Sequence, residues 1–369
     1  DIEIVRCPDD GNHLGGFSPF PCCILKNDPG FFPSGTDGFS MCTRNQDLII
    51  KVTDLSKTFD GVTAVDGITF SVTTGELFGF LGPNGAGKTT TINMLIGLAR
   101  PDSGLIEIGG HGCTTNPKAA QHLIGVVPDE SNLYPELTGF ENLCFCAALY
   151  GIQKQEREKR AYDLLESFDL ADAGHRKFAG YSKGMKRKLT IAAGIIHRPP
   201  ILFLDEPTTG IDVASARHIR KLIADLNNSG TTIFLTTHYI EEAERLCGRI
   251  AFIVKGRIVR TDTIDTLLQP IQNKKVMRIA VPDAPSNLGN SLTASFPYLD
   301  VKVESGGSFR IESEETISIG PLVRFIEEQG AEVTEARRLK PSLEDVFVRV
   351  TGIELYAMKR EKQKTGKTR

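Results

Sequence analysis

Apolar residues follow two rhythms along this chain. From Leu48 onward short apolar runs recur: Leu48-Ile49-Ile50-Lys51-Val52, then Thr63 to Thr73 with Val65, Ile68 and Phe70 in partial alternation, then Glu76-Leu77-Phe78-Gly79-Phe80-Leu81. Short apolar stretches bounded by turn-forming residues predict strands. Thr89 to Leu98 shifts to helical spacing, with Ile92, Leu95 and Ile96 on one face. Strands are predicted again at Leu105–Ile108 and Ile124–Val127, and residues 139 to about 196 read as helices over Glu141–Tyr150, Gln155–Phe168 and Gly184–Ile196. Ile201–Leu204 and Thr232–Leu235 read as core strands separated by a helix over Val213–Leu226. Ala251–Val254 and Arg257–Arg260 flank Gly256 as a hairpin. Helices alternating with continuously apolar strands predict an α/β fold around a largely parallel sheet.

The rhythm breaks near Pro270 to Asn273, where a second, smaller unit is expected. Val276–Val281, Leu299–Val303, Ser308–Ile311 and Ala331–Leu339 read as extended. Leu322, Phe325 and Ile326 mark one helix; Leu343, Val346, Phe347 and Val350 mark another, with Ser342 as its expected cap. The expected organisation is an irregular extension over 1–46, a main domain over 47–268 with a helical part at about 135–196, a small α+β domain over 274–354, and a basic tail over 355–369.

Composition narrows the class. The chain has 369 residues, enough for two domains, and is 40% hydrophobic and 24% charged, as in an ordinary globular protein. A formal net charge of -3 gives no bulk attraction to nucleic acid, so no nucleic-acid partner is expected. The 8 cysteines form neither a CxxC pair set nor a secreted disulfide framework, and reduced structural thiols are expected. No run reaches the roughly 18 apolar residues of a membrane span.

Chemistry enters at Gly82-Pro83-Asn84-Gly85-Ala86-Gly87-Lys88-Thr89, followed by Thr90, which fits G-x-x-x-x-G-K-[ST] between a strand and a helix. Gly85 and Gly87 let the backbone curl with its N–H groups inward, and those groups with the helix start hold a β-phosphate. Lys88 is expected to reach the β- and γ-phosphates, and the Thr89 hydroxyl to bind Mg²⁺. The apolar strand Ile201–Leu204 ends in Asp205 and Glu206, and charge at the end of a buried strand needs a partner. Asp205 is assigned to Mg²⁺, directly or through water. Glu206, aimed the other way along the strand, is assigned as general base. His238, ending the strand Thr232–Leu235 extended by Thr236 and Thr237, is expected to meet the γ-phosphate and hold Glu206 with the attacking water.

Taken with Tyr181-Ser182-Lys183-Gly184-Met185 and Leu204-Asp205-Glu206-Pro207-Thr208-Thr209-Gly210-Ile211-Asp212, these motifs make residues 48 to 265 resemble the nucleotide-binding subunits of ABC transporters. The run Leu339 to Phe347 resembles the tail domain of multidrug, antibiotic and daunorubicin-resistance type exporter ATPases. The resemblance implies a P-loop NTPase fold of the ABC ATPase type, with a helical signature subdomain and a small α+β C-terminal domain. It implies ATP as substrate with Mg²⁺, a head-to-tail homodimer or pairing with a related ATPase subunit, and a separate transmembrane permease docked near residues 128 to 150. It also implies a peripheral location on the cytoplasmic face of the cell membrane. Ser182 and Gly184 would touch the γ-phosphate held by the other subunit, Asp212 would communicate across the same interface, and Phe59 would stack on adenine with Val65 nearby.

This chain departs from the family where Asp129 stands in place of the usual Gln, which reaches Mg²⁺ and water. Asp129 either ligates Mg²⁺ as a hard oxygen donor or weakens γ-phosphate binding by its charge. Lys183 replaces the first glycine of the commonest signature, and Lys188 stands where Arg is common. Two rivals stay open: a soluble ABC protein of translation or repair, disfavoured by the single phosphate loop, and a weakly hydrolysing regulatory switch, favoured by Asp129 alone.

Overall fold

The computed structural model describes residues 48–352 apart from 114–116, 273, 305 and 341. The expected extension over 1–46, with Cys7, Cys22, Cys23 and Cys42, and the expected tail over 355–369 lie outside the described residues.

The chain runs β1 (Leu48–Phe59), β2 (Val62–Thr73), β3 (Leu77–Leu81), α1 (Lys88–Leu95), β4 (Ser103–Ile108), β5 (His111–Gly112), α2 (Pro117–His122) and β6 (Ile124–Val127). Three helices follow, α3 (Gly139–Leu149), α4 (Lys154–Ser167) and α5 (Lys183–Ile195). Then come β7 (Ile201–Asp205), α6 (Val213–Asn228), β8 (Thr232–Thr237), α7 (Ile240–Leu246), β9 (Arg249–Val254), β10 (Arg257–Thr263) and α8 (Ile264–Gln272). The last stretch holds β11 (Lys275–Ala280), α9 (Leu288–Ser295), β12 (Asp300–Glu304), β13 (Ser308–Ser313), α10 (Ile319–Glu328), β14 (Glu335–Leu339) and α11 (Leu343–Thr351).

The central sheet has the order β10-β9-β3-β8-β7-β6. All its neighbours are parallel except the β9–β10 hairpin. Its inner strands read as unbroken apolar runs because both faces are covered. Side chains alternate between two cores: Leu77, Leu81, Leu202, Leu204, Ile233 and Leu235 face the helices, while Phe78, Phe80, Phe203 and Phe234 face the antiparallel sheet β2-β1-β4-β5. On that second side Phe234 meets Phe78, Phe80 and Phe203 with centroids 5.7, 5.5 and 5.5 Å apart, each pair adding about 0.5–1.5 kcal/mol beyond area burial. The helical part is anchored at its start by a capping box, in which the Thr138 hydroxyl accepts from the Glu141 N–H and Glu141 accepts from the Thr138 N–H.

The last four strands form a separate antiparallel sheet, β12-β13-β11-β14, with its own core around Met277, Phe309, Ile311 and Ile326. The helix α11, whose expected cap Ser342 is present in a capping box with Asp345, does not join that core. Leu343, Val346 and Phe347 pack into the helix-side core of the main sheet, where Phe347 meets Phe252 edge-on at 5.3 Å. Pro270, expected in a break between units, lies inside α8. Having no N–H, it leaves the carbonyl four residues back, at Thr266, without its helical partner. Cys113, Cys144, Cys146 and Cys247 are free thiols; burial pushes Cys113 up to about 11, so it stays protonated at neutral pH.

Candidate functional site

Four neighbouring parallel strands deliver the expected residues to one place. In the order β3, β8, β7, β6, their C-terminal ends lead into the phosphate loop, His238, Glu206 and the turn carrying Asp129. Open parallel sheets bind ligands beyond such strand ends. There a cleft of about 510 Å³ is lined by Ala64, Asn84, Gly85, Gly87, Lys88, Thr89, Thr90, Asp129, Glu206, Thr209 and His238.

The loop conformation depends on Gly87. Its φ is +104°, and a Cβ there would sit 2.4 Å from the Ala64 carbonyl oxygen, so no larger residue fits. Gly87 stands at the N-terminus of α1, and Lys88 begins the helix. The Lys88 ammonium is almost fully buried, donating to the Gly82 and Pro83 carbonyls at 2.8 and 3.1 Å and lying 3.4 Å from Glu206. Its charge is therefore fixed over the loop that the helix dipole already makes anion-seeking.

Strand alternation alone would set Asp205 and Glu206 on opposite faces. Instead Glu206 adopts φ +49°, a left-handed turn costing a residue with a side chain about 1–2 kcal/mol. That turn brings both carboxylates against the loop: Asp205 accepts from the Thr89 hydroxyl at 3.1 Å and from Thr236, while Glu206 faces Lys88. His238 Nδ1 lies 2.5 Å from Glu206 Oε2, which also accepts from Thr209 at 2.9 Å. Against an ionised carboxylate that nitrogen is the donor. Burial pushes the Glu206 carboxyl up, but the His238 hydrogen bond, the Lys88 charge and the Thr209 hydroxyl outweigh it, and the net shift is downward. Glu206 is thus ionised at neutral pH.

Several expected residues stand outside this cleft. Gly82 and Ala86 shape the loop from beneath, Gly82 through its carbonyl and Ala86 with a buried side chain. Val65, expected near a bound base, is fully buried on β2; its neighbour Ala64 lines the cleft instead. Phe59 is half-exposed at the end of β1, with the Lys57 ammonium 5.1 Å from its ring. Ser182 caps α5 by accepting from the Met185 N–H, and Asp212 caps α6 by accepting from the Ser215 N–H. Gly184 packs against α6 so closely that a Cβ would lie 2.4 Å from Ser215 Oγ.

Three contributors escaped the sequence reading. Ala64 and Thr209 line the cleft, and Arg187 lies buried behind it. Thr209 sits inside the quoted Leu204–Asp212 run but faces the cleft only because the chain turns at Glu206. Arg187 stands one turn beyond Gly184 on the same buried face, a phase that its basic neighbours Lys186 and Lys188 disguise.

Comparison with known proteins agrees with this geometry. The family described as ABC transporter matches residues 65–209. The linearmycin resistance ATP-binding protein LnrL of Bacillus subtilis is 35% identical over 311 residues, covering 82% of this chain and 98% of that protein. The daunorubicin resistance ATP-binding protein DrrA3 of Streptomyces coeruleorubidus is 35% identical, covering 83% and 96%. The Nod factor export ATP-binding protein I of Burkholderia orbicola is 37% identical, covering 82% and 96%. Among solved structures, an ATP-binding subunit of an ABC transporter superposes with a TM-score of 0.56 at 33% identity, covering 60% of this chain and 92% of its own. A dimeric ATP-binding cassette in a post-hydrolysis state with ADP and Pi superposes at 0.54 with 27% identity, covering 58% and 98%. With the phosphate loop, the paired carboxylates and the histidine gathered in one cleft, the chain belongs to the ATP-binding, ATP-hydrolysing subunits of ABC transporters and is related to antibiotic-resistance ATPases.

Proposed function

We propose that this subunit uses ATP hydrolysis to drive a separate membrane permease of the exporter kind, working as a pair of like subunits. The observation that carries the reading is the convergence of Lys88, His238, Glu206 and Asp129 at four neighbouring strand ends. In this reading Lys88 offsets charge on the β- and γ-phosphates. Glu206 takes the proton of a water whose oxygen attacks the γ-phosphorus, and the bond to the ADP oxygen breaks. His238, donating to Glu206, keeps that carboxylate aimed at the water.

The residues present fit Mg²⁺. The Thr89 hydroxyl and Asp205 carboxylate lie side by side at 3.1 Å, and Asp129 lines the same cleft. No cluster of three or more His, Cys, Asp or Glu suited to a metal occurs among the described residues. That suits an ion held by one or two protein oxygens together with phosphates and water. When bound, the ion neutralises phosphate charge.

The half-exposed Phe59 ring supports a role in stacking on adenine. Ser182 and Gly184, at the start of α5 and outside their own cleft, support a head-to-tail pair in which they reach the partner's γ-phosphate, with Asp212 at the same interface. Exposed Tyr134, Phe145 and Leu149 between 128 and 150 support permease docking there. No helix among the described residues is long and apolar enough to cross a membrane. The reading implies a peripheral position at the cytoplasmic face. The names of the linearmycin, daunorubicin and Nod factor relatives support export.

Sedimentation of the full-length Glu206→Gln variant tests the pairing. ATP is expected to shift it from monomer to dimer, while ADP leaves it monomeric. A variant that binds ATP yet stays monomeric contradicts the reading.

A further inference from the structure

Arg187 lies on the buried face of α5, in contact with Asp205 at the end of β7 and with Pro128, the residue that follows β6. Its Nε donates to the Pro207 carbonyl at 2.8 Å, and its Nη2 donates to the Asp205 and Glu206 carbonyls at 3.1 and 2.6 Å. Its Nη1 donates to the Pro128 carbonyl, and Nη2 stands 3.9 Å from the Asp129 carboxylate. One guanidinium thus bridges the turn that bears the proposed general base and the turn that bears Asp129. Farther along the same helix, the Thr190 and Ser131 hydroxyls hydrogen-bond at 2.8 Å, a second tie from α5 to the Asp129 loop.

We infer that Arg187, supported by Thr190, is a positioning residue for hydrolysis, setting the Asp129 loop in register with Glu206. The inference rests on the ATPase reading above. Two features favour positioning over simple core support. The contacts converge on backbone carbonyls of two separate catalytic turns, where a planar fork of donors serves and an ammonium does not. The guanidinium also faces Asp129 itself, so the acidic residue at this position has a fixed counter-charge. Burial lowers the Arg187 pKa, and the charges of Asp129, Asp205, Glu242 and Glu206 only partly offset it. The same helix begins at Ser182–Gly184, so Arg187 links the residues proposed for the partner's nucleotide to the chain's own catalytic turns.

The test uses the full chain with ATP turnover, equilibrium binding of a fluorescent ATP analogue and thermal unfolding measured in parallel. Wild type and Glu206→Gln serve as controls: if wild type does not hydrolyse ATP, the ATPase reading fails before this inference is reached. Arg187→Lys is expected to lower kcat by about 10-fold or more, since small misplacements of reacting groups cost that much. Analogue binding is expected to change less than about 3-fold, because the lost contacts do not touch nucleotide. Asp129→Asn is expected to lower kcat in wild type and to have little further effect in Arg187→Lys, because the loop is already released. Ser131→Ala, a change at an exposed residue, gives the same pattern at smaller size and serves if Arg187→Lys does not fold. The inference is overturned if Arg187→Lys keeps its kcat, if kcat and binding fall together, or if the Asp129 and Arg187 effects simply multiply. Where only the Ser131 variant is measurable, unchanged kcat overturns it.

Discussion

Glu206 and Glu242 are buried carboxyl groups beside the cleft that their surroundings shift in opposite directions. Glu206 ends below its ordinary value of 4.5 through His238, Lys88 and Thr209, despite its burial. Glu242 is pushed above 4.5 by burial on α7, which the Thr208 hydroxyl at 2.8 Å only partly offsets. The folded chain therefore keeps the Glu242 proton to higher pH than the unfolded chain. That contribution to stability is full below about the unfolded value and is lost as pH rises through the folded one. For Glu206 the sign is reversed: its contribution holds above 4.5 and is lost as pH falls through its lowered value. Glu242→Gln removes the first dependence, so its Tm relative to wild type is expected to rise between pH 5 and pH 8. Parallel Tm curves would contradict the assignment. At this scale the sequence named Glu206 and His238 because each ends an apolar strand. It was silent on Glu242, whose shift depends on which helix covers it.

Among the elements, α5 carries the most duties. Its N-terminus is capped by Ser182, Gly184 abuts α6, Arg187 grips two turns, and Lys188 donates to the Phe168 carbonyl at 3.0 Å. Gly184→Ala places a methyl 2.4 Å from Ser215 Oγ and is expected to destabilise by about 1–3 kcal/mol, as overpacking does. Denaturant unfolding checks this, and adding Ser215→Gly is expected to restore most of the loss by removing the atoms struck. No recovery would place the cost elsewhere. The strands and the longer helices were legible because covering both sheet faces writes continuous apolar runs, and one-sided burial writes a helical period. The short helices α2, α7, α8 and α9 were not. Six to nine residues give too few turns to show a period, and Pro270 inside α8 reads locally as a break.

In the molecule as a whole, the small antiparallel sheet keeps its own core while α11 returns to the main one. Asp345, which belongs to the capping box of α11, also accepts from Arg310 on β13 at 2.7 Å, so that helix is tied to both. Phe347→Ala opens a cavity beside Phe252 and is expected to cost about 3–5 kcal/mol. A loss below about 1 kcal/mol in denaturant unfolding would mean that α11 contributes little to the main core. Strand order was beyond the sequence: β3, β8, β7 and β6 are neighbours in space but far apart in the chain, and only a long-range sheet makes four separate motifs into one site. In that convergence Glu206 is the proposed general base. ATP hydrolysis and ATP binding, measured on the same full-length preparations of wild type and Glu206→Gln, test that role most directly. Hydrolysis is expected to fall by about 100-fold or more, as for loss of a general base, with binding retained. Hydrolysis within a few-fold of wild type would contradict it.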